Sequence, residues 1–186
     1  MTITATTPAL KEWSAAVHAL LDGRQWVLLR KGGIGEKRFE LAAGEFLLFP
    51  TVAHSHAERV RPEHQDLLVA AAADSADDEL VIRAAAKVVA AVPVNRPEGL
   101  SAIEDLHIWT ADSVRADRLD FRPKHKLAVL VVSATPLVEP LRIVRTPDYA
   151  GCKSWVELSL QASLAPPVHE DPALAEVAAR VRDAVA

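Results

Sequence analysis

The run KLAVLVVSATPLV, residues 126–138, most constrains the fold of this chain. It is dense in β-branched residues, which pack well on a pleated sheet, and it is too short to cross a membrane as a helix. The run therefore predicts a buried strand, which Pro136 either ends or marks as an edge strand.

A second apolar stretch, ELVIRAAAKVVAAVPV over 79–94, is ambiguous between strand and helix. Its three consecutive alanines favour a helix, in which Arg83 and Lys87 would lie one turn apart. Six β-branched residues favour a strand, and we predict a strand here. The apolar runs at 25–31 and 45–51 flank a glycine-rich excursion, which predicts two strands of an antiparallel pair.

Helix starts are clear local signals in the sequence. Thr7-Pro8 combines a capping residue with a proline suited to the first helical position, and the apolar spacing that follows predicts an amphipathic helix over 8–22. Capping-box patterns predict helix starts at Ser101 and Ser154. Further helices are predicted to begin at Pro62, after Thr110 (running to about Leu119) and at Asp171-Pro172.

Together these elements predict an α+β fold with a central, mostly antiparallel sheet or small barrel and flanking helices. A chain of 186 residues, 50% of them hydrophobic, can bury a single core. No internal repeat divides the sequence, and its proline-rich joint lies at 162–172. We therefore predict one domain over 1–165 and a C-terminal helix over 166–186 that is packed on the domain or hinged to it.

The composition excludes several classes of protein. No apolar run reaches the ~18 residues of a membrane span and the N-terminus is unlike a signal peptide, so we predict a cytoplasmic protein that does not bind membranes. A single cysteine excludes an internal disulfide and a cysteine-cluster metal site. The formal net charge of -4 argues against coating nucleic acid by bulk electrostatics, but it allows a local basic face.

The segment RKGGIGEKR, residues 30–38, is a candidate phosphate-binding loop. Arg30 and Lys31 precede Gly32 and Gly33, and exposed amides beside cations favour an anion. The spacing is not that of a P-loop, and no dinucleotide-binding fingerprint occurs. A hairpin shaped by glycines, with solvated charges, is the structural alternative.

Three lysines and two tryptophans are further candidates for contact with nucleic acid. They are Lys124, Lys126, Lys153, Trp109 and Trp155. The first two lysines lie in the basic string FRPKHK, which would give a basic face to an acidic protein, and a solvated loop of mixed charge is the alternative. The tryptophans would stack on bases, with a packing role as the alternative.

The candidates for catalysis are His54 and Cys152. His54 follows the FPT turn and would carry a proton. A cysteine nucleophile must ionise readily, which a helix start beside Lys153 would favour, and it needs a histidine base nearby; a buried packing role is the alternative. His54, His56 and His64 could together hold a metal, but no HExxH pattern occurs, so we predict polar loop histidines, no metal site and no cofactor.

Five segments in a fixed order carry a family resemblance: ALKEW (9–13), LLRKGGI (28–34), FLLFPTVAH (46–54), LHIWT (106–110) and GCKSWVEL (151–158). Over about residues 9–160 the chain resembles the bacterial domain-of-unknown-function family 1802, although Ala150 stands where similar sequences have glycine. Some members of that family occur beside a restriction-endonuclease-type domain, which implies a restriction-modification or similar nucleic-acid context. The order of elements is also similar to the small barrels of the PUA and ASCH type, which bind RNA or modified bases; that similarity concerns the fold alone.

Three hypotheses for the function follow. The first is a noncatalytic nucleic-acid-associated module whose binding face uses the lysines, the tryptophans and the loop at 30–38. The second is a small hydrolase-like enzyme that uses His54 and Cys152. The third is a protein partner of a separate nuclease or methyltransferase. If the 30–38 loop, His54 and the 151–155 turn lined one cleft, all of the predicted site residues would gain support together.

Overall fold

The protein is built on a mixed six-stranded sheet, seen in a computed structural model that describes residues 2–3, 6–32 and 39–186. The described strands are β1 (Thr2–Ile3), β2 (Thr6–Trp13), β3 (Val27–Lys31), β4 (Glu45–Thr51), β5 (Glu79–Pro93), β6 (Leu127–Val144), β7 (Trp155–Ser159) and β8 (Ala162–Ser163). Their order in the large sheet is β3-β6-β5-β4-β2-β7, and β1 pairs separately with β8. Of the large-sheet pairings, that of β2 with β4 is parallel and the others are antiparallel.

Helices and turns of helix surround the sheet. The described α-helices are α1 (Ser14–Leu21), α2 (His56–Arg59), α3 (Leu68–Ala73), α4 (Ala111–Val114) and α5 (Asp171–Val185). Short 3₁₀ helices cover Pro62–Leu67, Pro97–Leu106 and Pro147–Tyr149, and α4 continues into a π-helical segment, Arg115–Asp120. The α+β class with a mostly antiparallel sheet is confirmed. The ladder has β3 and β7 as its edges, so the sheet is not a closed barrel.

The predicted helix over 8–22 is half wrong, because Thr6–Trp13 is strand β2. This strand lies inside the sheet between β4 and β7, and pairing on both sides outweighs the local helix signal. Pro8 is tolerated because the ladder with β4 begins only at Ala9, so the proline needs no donor on that side. The helix that follows, α1, has buried residues on nearly every turn and packs on the sheet.

The predicted helix starts have mixed outcomes. The start at Ser154 is wrong, because the next five residues form strand β7 against β2. The start at Ser101 is also wrong, because Ser101 lies inside a 3₁₀ helix that begins at Pro97. Thr110 caps α4 as predicted: its Oγ1 accepts a hydrogen bond from the Ser113 backbone N–H at 3.1 Å. Helices also begin at Pro62, first as a 3₁₀ helix and then as α3, and at Asp171.

The long hairpin of β5 and β6 forms the middle of the sheet. Both are strands as predicted, and β6 extends to Val144. Pro136 therefore does not end the strand; it pairs with Ala84 beside an irregularity in the ladder. The runs at 25–31 and 45–51 do contain strands, but the predicted pairing between them is wrong, because β3 pairs with β6 and β4 lies between β5 and β2.

The core has layers on both faces of the sheet. On one face, Val17 and Leu20 of α1 pack against sheet residues such as Phe46 and Leu130. On the other face, α5 packs in the same cluster as the end of β5 and the start of β6. The backbone N–H groups of Asn95 and Arg96 both donate to the carbonyl of Val185, which ties the end of α5 to the 3₁₀ helix at 97–106.

Candidate anion-binding cleft

A cleft of about 210 Å³ lies where the end of β3 meets the π-helical segment and the junction of β2 with α1. We call it the Arg118 cleft. It is lined by four cations and one carboxylate together with two aromatic rings: Arg30, Lys31, Arg118, Arg122, Asp117, Trp13 and Phe121. A protein with a formal net charge of -4 therefore concentrates positive charge at one concave site.

Arg118 is the least satisfied cation of the cleft. Its backbone carbonyl accepts a hydrogen bond from Lys31, but within residues 6–32 and 39–186 its guanidinium makes no hydrogen bond or ion pair. Burial lowers the pKa of Arg118; the charge of Glu12 opposes this effect, and that of Arg30 adds to it. A half-buried guanidinium that makes no hydrogen bond presents a fork of free donors that fits phosphate or carboxylate.

Arg30 is held on the opposite wall. Its Nη1 donates to the Lys11 carbonyl at 3.0 Å and to Glu12 Oε2 at 3.2 Å. The other carboxylate oxygen of Glu12 accepts the Trp13 backbone N–H at 2.8 Å, so this buried carboxylate is fixed from two sides. The buried Nε of Arg30 has no hydrogen-bond partner among the described residues.

Lys31 fixes the segment that carries Arg118 and Arg122. Its Nζ donates to the carbonyls of Arg118, at 2.7 Å, and Phe121. The next residue, Arg122, has a φ of 48°, the one positive φ outside glycine in the described chain. A non-glycine residue in this conformation is held there by its surroundings, and such strain is common at functional sites. The Arg122 guanidinium lies 4.9 Å from the Phe121 ring, and that ring is 57% exposed.

The floor of the cleft is Trp13, which it shares with a smaller adjoining cavity. Arg59 lies 5.2 Å from the Trp13 ring, and its Nε donates to Asp117 Oδ2 at 2.6 Å. The Asp117 carboxylate is therefore paired with Arg59, and its charge offsets that of Arg118 less than the charge of Glu12 does. His56 lies 4.9 Å from Trp13, and burial, with a contribution from Arg59, lowers the pKa of His56 to about 4, so its ring is neutral at pH 7.

Comparison with known proteins places the chain in a family. The model of a domain of unknown function, DUF1802, matches residues 9–180. The chain belongs to the DUF1802 family. This confirms the resemblance predicted from the sequence segments. No curated protein matches the chain. A crystal structure of a mutant ZmASCH protein from Zymomonas mobilis matches with 13% sequence identity over 72% of each chain and a TM-score of 0.42.

In this DUF1802 chain, part of the predicted phosphate loop does reach the cleft. Arg30, Lys31 and Gly32 line it, whereas Gly33 lies outside the described residues. Lys124 and Lys126 are exposed just beyond the Arg122 turn, and His125 between them contacts the Gly32 carbonyl at 3.0 Å. The string FRPKHK thus contributes its first two residues to the lining and presents its lysines outside.

The other predicted residues lie away from the cleft lining. Trp109 is 7% exposed, and Trp155 contacts Phe39 and Phe46 and donates a hydrogen bond to the Glu40 carbonyl. Lys153 and Cys152 are exposed in the turn before β7. Lys11 donates hydrogen bonds to the backbone carbonyls of Tyr149 and Gly151 in this region.

His54 is exposed after β4, and no contact in the described chain joins it to Cys152. The convergence of the loop, His54 and the 151–155 turn is therefore not seen among the described contacts. No group of three or more His, Cys, Asp or Glu side chains among the described residues could hold a metal ion. Among the described residues, no helix has the length and apolar character needed to cross a membrane.

Sequence reasoning missed most of the cleft. The local sequence predicts a helix at Glu12 and Trp13. In the structure they end strand β2, because this strand pairs with partners far along the chain. Arg118 and Asp117 lie in RADRLD, which resembles the polar face of an ordinary surface helix. One part of the cleft could have been predicted from the sequence. Phe121 and Arg122 place an aromatic residue next to cations, in a short string that precedes a buried strand.

Proposed function

We propose that this DUF1802 protein is a noncatalytic module that binds single-stranded nucleic acid at the Arg118 cleft. One observation carries the proposal: the half-buried side chain of Arg118 has no hydrogen-bond or ion-pair partner among the described residues, in a cleft lined by three further cations. Phosphate is the anion that nucleic acids present along their whole length, and arginine binds it through paired donors. The cleft supplies the charge and the geometry for one such group.

Phe121 favours a single strand over a duplex. Its ring is 57% exposed at the mouth of the cleft, and the Arg122 guanidinium covers part of it. Exposed aromatic rings beside cations stack on unpaired bases, whose faces are hidden inside a duplex. A strand could therefore place a phosphate near Arg118 and an adjacent base against Phe121.

The test measures retention of short single- and double-stranded DNA and RNA as salt rises. We expect single strands to bind at low salt, and the logarithm of the binding constant to fall linearly with that of the salt concentration. Arg118→Gln should weaken binding by about tenfold or more. Arg182→Gln removes the same charge from an exposed position on α5 and should leave binding unchanged. Absence of binding even at low salt would overturn the proposal.

A second pair of variants tests the stacking role. Phe121→Ala should weaken binding of single strands by about tenfold, since one stacked base contributes ~1–3 kcal/mol. Val144→Ala truncates another exposed apolar side chain, 72% accessible, and serves as the control. Equal affinity of Phe121→Ala and the parent protein would remove Phe121 from the site.

The exposed lysines extend the proposed surface. Lys124 and Lys126 follow the cleft turn directly, and Lys153 lies on the turn before β7. Each lysine that contacts a phosphate should, when replaced by glutamine, reduce the slope of the salt dependence by about one. A lysine whose replacement leaves the slope unchanged lies outside the path of the strand.

The family resemblance supports a wider setting for this proposal. We place the module in the bacterial cytoplasm, in a restriction-modification or similar context, with a separate nuclease or methyltransferase as its protein partner. Co-purification from the native host is the direct test. Recovery of the protein without any nuclease or methyltransferase would contradict the partner proposal and leave the binding proposal intact.

A hydrolase that uses His54 and Cys152 is the alternative proposal. The exposure of Cys152 is the observation in its favour, because an attacking thiol must reach its substrate. Labelling with iodoacetamide at neutral pH is the test. Labelling no faster than that of a free cysteine peptide would remove the nucleophile from consideration.

A further inference from the structure

We propose that the Arg118 cleft recognises the phosphorylated end of a strand, a terminal phosphomonoester, in preference to an internal phosphodiester. The proposal rests on the nucleic-acid binding proposed above and narrows its substrate class. A terminal phosphate carries close to two negative charges at neutral pH and offers three charged oxygens. An internal phosphodiester carries one negative charge.

The charge of the cleft matches a dianion better than a monoanion. Asp117, the carboxylate of the lining, is paired with Arg59 at 2.6 Å and so balances the other cations only in part. Glu12 is paired with Arg30 at 3.2 Å, and its charge also offsets part of that of Arg118. Lys31, Arg118 and Arg122 make no ion pair within the described residues. Cations in a partly enclosed cleft repel one another more than they do in bulk water, so a ligand with two charges relieves more of this repulsion than a ligand with one.

The free N–H donors of Arg118 and Arg122 also favour a terminal phosphate. A guanidinium has five N–H donors, and the side chains of Arg118 and Arg122 make no hydrogen bond within the described residues. Arg122 makes only a contact with the Phe121 ring, at 4.9 Å. Two guanidinium groups can engage three oxygens of a terminal phosphate, whereas an internal phosphate must leave two of its oxygens bonded to the chain.

The turn that presents these donors is fixed before the ligand arrives. Lys31 donates to the Arg118 and Phe121 carbonyls, so both ends of the turn are tied to β3. Phe121 lies beside Arg122, where it can cover the terminal base while the terminal phosphate occupies the cleft. A prearranged site of this kind loses little entropy when it binds one terminal nucleotide.

The experiment compares fluorescent oligonucleotides of one sequence that differ only at their ends. The ends are 5′-phosphate, 3′-phosphate, hydroxyl and 5′-methylphosphate, the last being a monoanion of nearly the same size. We expect a phosphorylated end to bind about tenfold more tightly than hydroxyl and methylphosphate ends. The preference should vanish in Arg118→Gln and persist in Arg182→Gln. Arg118→Lys keeps the charge but loses the fork, and should retain only part of the preference.

The outcomes separate this proposal from the one it rests on. Equal, salt-dependent binding of all ends, weakened by Arg118→Gln, would overturn the terminal preference and leave nucleic-acid binding in place. Absence of binding by every oligonucleotide would overturn both. Inorganic phosphate should displace a phosphorylated strand, and phosphate binding without any oligonucleotide binding would assign the cleft to free phosphate instead. Thermal unfolding of each Arg118 variant confirms that it is folded.

Discussion

The guanidinium of Arg30 lies 3.2 Å from the carboxylate of Glu12 and so joins β3 to β2, two strands that are not neighbours in the sheet. Glu12 is 4% exposed and Arg30 12%, which makes this a buried ion pair. The same carboxylate opposes the positive charge of Arg118. Glu12 therefore stabilises the fold while it reduces the attraction of the cleft for anions.

Glu12→Gln separates these two effects. We expect the free energy of unfolding to fall by about 3 kcal/mol, because a buried guanidinium loses its charged partner. Affinity for single strands should rise, because the cleft loses a nearby negative charge. Glu45→Gln is the control: Glu45 is an exposed residue 3.9 Å from Lys87, and its replacement should cost less than about 1 kcal/mol. Chemical denaturation and fluorescence anisotropy measure the two quantities, and a parallel loss of both would contradict the assignment.

Asp74 is a second buried carboxylate, bound by His18 Nε2 at 2.6 Å and by the Arg83 guanidinium at 2.6 and 2.8 Å. Burial alone would raise the pKa of Asp74, but the hydrogen bonds from His18 and Arg83 outweigh it and the pKa is lowered. Asp74→Asn should reduce the free energy of unfolding at pH 7 by about 3 kcal/mol. Asp77→Asn, an exposed neighbour, should change it by less than about 0.5 kcal/mol.

The pH dependence of the Asp74 effect has a definite sign. Because the folded pKa lies below the unfolded value of about 3.9, the stabilisation is complete above that value and is lost as pH falls through the folded pKa. The gap in stability between the parent protein and Asp74→Asn should therefore narrow below about pH 4. A gap that instead widens in acid would contradict the lowered pKa.

The buried His107 should make the free energy of unfolding depend on pH between about 6.5 and 4. Burial, with a contribution from Arg61, lowers the pKa of His107 to about 4, and its Nδ1 accepts the Trp109 backbone N–H at 3.1 Å. Between pH ~6.5 and 4 the unfolded chain takes up a proton that the folded chain does not, so stability falls by up to ~1.4 kcal/mol per pH unit as pH decreases. His107→Asn keeps an acceptor and should make the acid slope shallower, while the buried His56 continues to contribute.

The control for this slope is His54→Asn, because His54 is exposed after β4. Unfolding free energies measured by denaturant from pH 7.5 to 4.5 should give the same slope for His54→Asn as for the parent protein. If His107→Asn also left the slope unchanged, His107 would not be a buried neutral group.

Gly99 allows the last helix to dock. A Cβ at this position would lie 1.8 Å from the carbonyl oxygen of Ala184, a backbone atom of α5. Gly99→Ala must therefore displace α5 or the 3₁₀ helix at 97–106, and we expect it to cost about 2 kcal/mol or more. Gly44→Ala, which would meet no atom within 4 Å, should change stability by less than about 0.5 kcal/mol. Equal thermal unfolding of the two variants would show that α5 is not packed in this way.

Local sequence patterns predicted those elements whose local and tertiary preferences agree. The β-branched residues of 79–94 favour a strand both intrinsically and in the middle of a sheet, and Thr110 caps its helix through a contact three residues away. Thr6–Trp13 could not be predicted in this way. Its helical spacing is a local property, whereas the strands that make it β2 lie near residues 47–51 and 155–159.

The cleft residues also differ in whether local sequence could predict them. Arg30 and Lys31 were found because glycines next to cations are visible in the sequence itself. Arg118 was missed because its special environment comes from Lys31, Glu12 and Arg30, which lie on other elements. Partial burial of a charge is a tertiary property, and no spacing within RADRLD distinguishes a half-buried arginine from a fully solvated one.

The pairing of β2 with β7 also bears on how the protein is made. Leu10 pairs with Trp155, so a strand near the start of the chain waits for one near its end. While the chain emerges from the ribosome, β2 has an open edge on that side until the last strands have been synthesised. Contacts this distant in sequence form slowly, and an unpaired inner strand can add to the edge of another molecule. A chain truncated before Trp155 should therefore aggregate rather than form a smaller stable domain.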